Sequence, residues 1–126
     1  MIAQAGSDPM PWSTVVLLVV ILLGTAVVMM WIGWRASRGT LRRNAFAGIR
    51  TPSTMASDAA WEAAHRAGGR QITQAGVVSL IVGLLLLLRP SNTVGMILLG
   101  IWFVAVMAAA IVSTLRGNRA ARAVAD

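Results

Sequence analysis

At 126 residues the chain can form one small domain. It is 57% hydrophobic and 12% charged, about half the charged fraction of a soluble domain. It has no cysteine, which excludes disulfides, iron–sulfur clusters and thiolate chemistry.

The apolar residues are concentrated in three blocks free of Asp, Glu, Lys, Arg and His: Thr14–Trp34, Ile72–Leu88 and Val94–Leu115. As helices they measure roughly 31, 26 and 33 Å at 1.5 Å per residue, against a hydrocarbon core about 30 Å thick. Three such helices in a soluble bundle would leave no polar face for water. The expected fold is therefore an all-α integral membrane protein with three transmembrane helices.

Residues 1–13 form a tail holding Pro9, Pro11 and an interfacial Trp12. This tail has no basic residue, whereas Arg35 and Arg38 follow the first block. That order is the reverse of a cleaved signal, so helix 14–34 is expected to remain as an anchor. Pro90 and Asn92 interrupt the apolar pattern, and the turn 89–93 joins helices 72–88 and 94–115 as a tight antiparallel hairpin. Small residues four apart, Ala75, Ser79 and Gly83 on one helix and Ala105, Ala109 and Ser113 on the other, suggest close packing within that hairpin.

The net charge of +7 divides into −1 for residues 1–13, +5 for 35–71, +1 for 89–93 and +2 for 116–126. Arg-rich segments stay in the cytoplasm. The N-terminus is then outside, the loop 35–71 inside, the turn 89–93 outside and the basic tail 116–126 inside. The positive charge is thus a topology signal that also meets anionic headgroups, and no direct nucleic-acid partner is expected.

The loop Arg35–Gln71 carries the chemistry. Its first part, Arg35–Arg43, is basic and lies along the membrane surface. Near its end, residues 57–67 read as a short interfacial helix, with Ser57 as N-cap, Asp58 at the positive helix start and Gly68-Gly69 as its stop. At about 100° per residue, Ala59, Ala60, Ala63, Ala64 and Ala67 share one face, suited to close packing, while Asp58, Trp61, Glu62 and His65 share the other. Glu62 and Arg66 are four apart in the favourable orientation.

Asp58, Glu62 and His65 offer metal-ligand types, but three ligands from one helix rarely converge on an ion. His65 with Glu62 also has the components of an acid–base pair. Neither the sequence spacing nor the residue set supplies a nucleophile with its base and oxyanion donors. No metal, cofactor or catalytic residue is therefore assigned. No ionisable side chain falls within an apolar block, which argues against a coupled transporter acting alone.

Asn44, Gly48-Ile49-Arg50-Thr51-Pro52, Ser57, Trp61 and His65-Arg66 together resemble the signature of the SdpI family, bacterial membrane proteins named for immunity to the sporulation-delaying toxin. The pattern is similar to N-x3-G-I-R-T-P-(W)-T-(L)-x-S-x3-W-x3-H-R-x2-G, with Ser53 in place of the family's Trp and Met55 in place of its Leu. The resemblance covers the three-helix core unit; the best-known members carry further N-terminal membrane helices. It implies a multi-pass protein of the bacterial inner membrane that confers immunity to a membrane-active toxic peptide, or tethers a cytoplasmic repressor. A small structural subunit of a larger membrane complex is the alternative, and a transporter or enzyme the more distant one. The expected recognition residues are Asn44, Gly48, Arg50, Thr51, Pro52, Asp58, Trp61, His65 and Arg66. Arg50 offers a planar fork for phosphate or carboxylate.

Overall fold

The first and third apolar blocks lie inside longer helices, and the second does so except for its last two residues, which turn out of the helix. The computed structural model describes residues 6–125. It contains α1 (Trp12–Ser37), a short 3-10 turn (Thr54–Ala56), α2 (Asp58–Leu86) and α3 (Asn92–Ala125). All three long helices are apolar and long enough to cross a membrane, and no strand occurs among the described residues. Their outward faces carry exposed residues such as Val16, Leu17, Val20, Ile101 and Val104, as expected where lipid rather than water is the solvent.

The membrane boundaries are marked by arginines stacked on tryptophans. On one side Arg89 lies 5.2 Å from the Trp12 ring. On the other, Arg35 lies 5.3 Å from Trp31 and Arg38 4.9 Å from Trp34. Trp12 and Trp34 are separated along α1 by about 33 Å at the helical rise, matching the hydrocarbon thickness. α1 then ends in a Schellman motif: Gly39 takes a φ of 70°, Thr40 N–H donates to Arg35 O at 2.9 Å and Gly39 N–H to Ala36 O at 3.1 Å.

The expected break after residue 67 does not occur. Segments 58–67 and 72–86 belong to one continuous α2, and Gly68 and Gly69 are buried within it. These glycines let neighbouring chains approach. A Cβ on Gly69 would stand 2.7 Å from Ser37 N, and one on Gly68 would stand 2.7 Å from Ile49 Cδ1. A helix about 43 Å long exceeds the bilayer core, so its first turns project on the side of the 38–57 loop. The tail 116–126 is likewise helical over its described residues and extends α3 on that same side.

α2 packs along both α1 and α3, whose own backbones stay more than 8 Å apart. The closest approach is between α1 and α2, where Gly69, Gly76 and Gly83 recur every seven residues facing α1. α2 and α3 do form the expected antiparallel hairpin, but Gly83, one of its expected small contact residues, faces α1 instead. Ala75 and Ser79 are buried, but Ala105 and Ala109 are only half-buried. The α2–α3 contact relies more on polar links: Trp102 Nε1 donates to Ser79 Oγ at 2.8 Å, and Ser113 Oγ donates to Gly68 O at 3.1 Å.

On the side opposite the loop, the described part of the N-terminal tail is tied to the turn after α2. Met10 N–H donates to Pro90 O at 3.0 Å, Asn92 N–H to Asp8 O at 2.8 Å and Arg89 Nε to Met10 O at 2.8 Å. Arg89 itself has a φ of 55°, which turns the chain sharply.

Candidate functional site

Residues 38–57 fold back over the projecting end of α2. Asn44 shapes the first bend: its Oδ1 accepts from Phe46 N–H and Ala47 N–H at 2.8 Å each, and its Nδ2 donates to Arg42 O at 2.8 Å. Such side-chain turns substitute for backbone pairing where no regular element forms. The bend leaves Phe46 95% exposed at the loop tip.

The loop then crosses His65. Ile49 N–H donates to His65 Nε2 at 2.8 Å, and His65 Nδ1 lies 2.8 Å from Trp61 O. A backbone N–H can only donate, so Nε2 is the acceptor, the proton resides on Nδ1, and the ring is the neutral tautomer. His65 lies on the projecting part of α2, outside the apolar block, and its burial pushes its pKa below the ordinary value of 6.5. The ring stacks on Trp61 at a centroid distance of 4.0 Å, and Trp61 Nε1 donates to Leu41 O at 2.7 Å.

Gly48 makes this crossing possible. Its φ of 111° is unfavourable for an L side chain, and a Cβ there would collide with His65 Nε2. Covering one tryptophan removes about 200 Å² from water, worth up to ~5 kcal/mol. Trp61 is therefore a principal anchor of a loop whose regular structure is confined to the 3-10 turn Thr54–Ala56.

Thr54 and Thr51 close the far side. Thr54 is fully buried; its Oγ1 donates to Ile49 O at 2.7 Å and accepts from Thr51 N–H at 2.9 Å. Thr51 Oγ1 bonds to Asn118 Oδ1 on α3, and exposed Pro52 starts the turn leading into the 3-10 segment. Ser57 then caps α2, its Oγ accepting from Ala60 N–H at 3.0 Å. Ala60 and Ala64 pack against Ala121 of α3, placing part of the alanine face against a membrane helix.

The recognition residues expected from the sequence thus fall into two groups. Trp61 and His65 form a buried knot under the exposed Gly48, while Asn44 and Thr51 brace the loop on either side. Trp61 and His65 are covered by the loop, although the helical wheel placed them on an open face with Asp58 and Glu62. The wheel reports direction and is blind to what covers that direction. Arg50, Pro52, Asp58 and Arg66 remain exposed.

Among these, Asp58 pairs with Arg43 at 3.2 Å, and Arg66 with Glu62 at 3.0 Å, both at solvent-screened positions worth little stability. Among the described residues, the Arg50 guanidinium makes no hydrogen bond or ion pair. No cluster of three metal-ligating side chains occurs among them either.

Thr54 and Asn118 are the participants that residue-type reasoning missed. Thr54 occupies the T of the motif, a signal available in the sequence; Asn118 had none, because its role depends on α3 returning beside the loop.

No curated protein and no solved structure matches the chain. The profile of the SdpI/YfhL protein family matches residues 40–115, which include the loop knot, the whole of α2 and most of α3. With more than half of its length matched, this three-span membrane protein belongs to the SdpI/YfhL protein family.

Proposed function

We propose that the chain is an immunity-type binding protein of the bacterial inner membrane. It protects against a membrane-active toxic peptide, tethers a cytoplasmic regulator at the membrane, or does both. The reading rests on family membership and on one structural observation: a loop held by buried bonds presents an arginine that has no partner among the described residues. Preorganisation of this kind lowers the ordering cost of binding. Arg50, Arg66 and the exposed Phe46 form the contact surface; Trp61, His65, Gly48, Asn44 and Thr51 hold it in place.

The loop and the α3 end lie in the cytoplasm in this reading, and the tail and the turn 89–93 lie outside, following the arginine distribution. The chain acts by binding, without turnover. A structural subunit is the second reading. It is favoured by α3, whose most apolar stretch is only 6% buried and so has room for a further helix.

Expression in a sensitive bacterial cell tests the proposal. Cells carrying the chain should survive a dose of membrane-permeabilising peptide that kills vector-only cells. Equal killing at verified membrane levels would contradict it.

A further inference from the structure

α1 and α3 flank α2 with their backbones more than 8 Å apart, and on the loop side a cleft of about 280 Å³ lies between them. Ile72 and Ala75 of α2 line it, with Met29 and Ile32 of α1 on one side and Ala109 and Ala110 of α3 on the other. Small side chains at positions 75, 109 and 110 leave this space unfilled. Residues Gly48–Thr51 close its loop-side end, so Arg50 stands at the boundary of an apolar slot.

The height of the slot in the bilayer follows from α1. Ile32 lies between Trp31 and Trp34, whose rings stack with Arg35 and Arg38 at the interface. Met29 is about one turn deeper. The cleft therefore runs from headgroup level into the acyl region. A cationic fork at the upper end, with no partner among the described residues, sits above an apolar channel too small for a whole lipid. The complementary molecule has a negative head and a hydrocarbon chain. Arginine matches a phosphate with paired donors, and the +5 loop raises the local concentration of anionic headgroups.

We infer that this cleft holds the headgroup-proximal part of one acyl chain of an anionic phospholipid from the loop-side leaflet, its phosphate on the Arg50 guanidinium. An acidic peptide segment would satisfy Arg50 but would bring polar backbone into the apolar slot at high cost. The lipid site stands whether or not the chain protects against a peptide.

The test uses the full chain in nanodiscs of equimolar phosphatidylglycerol and phosphatidylethanolamine, with retained lipids counted by native mass spectrometry. The wild type should keep one phosphatidylglycerol in preference to phosphatidylethanolamine. Arg50→Ala should reduce that preference roughly fivefold or more. Ala110→Phe, which fills the slot from an exposed position and leaves the charge intact, should reduce retention of both lipids. Arg119→Ala, an equal charge loss on exposed α3 surface, should leave retention unchanged.

Equal retention in the wild type, Arg50→Ala and Ala110→Phe would show only an unspecific lipid shell and overturn the inference. So would displacement of the lipid by inorganic phosphate alone, or a retained mass matching a peptide.

Discussion

Replacing Gly48 with alanine strikes the loop where it can adapt least. At φ 111° an L residue is strained by about 1–3 kcal/mol. The new methyl also meets His65 Nε2, the atom that accepts the Ile49 N–H. Moving the imidazole aside leaves that buried donor unpaired, at a further ~1–3 kcal/mol. A combined local loss of about 3 kcal/mol raises the open population of the loop roughly a hundredfold. Hydrogen exchange followed by mass spectrometry on the peptide containing Ile49, in detergent, reads this directly. Gly100→Ala is the matched control. Nothing lies within 4 Å of a Cβ there, and alanine gains up to ~1 kcal/mol in a helix. If Gly48→Ala exchanges at Ile49 no faster than Gly100→Ala, the knot around His65 does not hold the loop.

Three further outcomes follow from the same contacts. His65 is folded in its neutral form with a lowered pKa, so its contribution is complete above its ordinary value of 6.5 and is lost as the pH falls below it. Ile49 exchange, corrected for intrinsic rate, should therefore rise on acidification from about pH 7 to about pH 5 in the wild type, and an unchanged ratio would exclude His65 as the cause. Ser57→Ala removes the α2 cap and should cost about 1 kcal/mol in denaturant unfolding; Glu62→Ala breaks only an exposed pair and should cost at most about 0.5 kcal/mol. Because the chain has no cysteine, Ser91→Cys and Phe46→Cys give clean topology probes. An impermeant maleimide should label the first in intact cells and the second only after permeabilisation; the opposite pattern would reverse the proposed orientation.

The spans were legible because each block is apolar all round and the first is bracketed by Trp12, Trp31 and Trp34, signals that depend on the bilayer rather than on neighbouring helices. The motif from Asn44 to Arg66 was legible as a set of unusual residues at fixed spacing. Its internal division was not. Whether Trp61 faces solvent depends on where Leu41 and Ile49 come to rest, which is set by a bend at Asn44 and a left-handed Gly48. Gly68-Gly69 read as a stop because local propensity favours one. The helix continues because Ser37 on one side and Ile49 on the other occupy the space that side chains would need, and Ser113 bonds to the carbonyl of Gly68. Asn118, far along the chain, carried no signal because its contact with Thr51 exists only once α3 has folded back.

The central claim is that the buried knot exists to present Arg50. A matched pair of charge deletions tests it: Arg50→Ala in the loop and Arg119→Ala on the exposed surface of α3, brought to equal membrane levels in cells challenged with a membrane-permeabilising peptide. Both remove one positive charge, so general electrostatics affects them alike. Survival should collapse toward the vector control for Arg50→Ala and stay at the wild-type level for Arg119→Ala. Full survival with Arg50→Ala, or equal loss in both, would contradict the account.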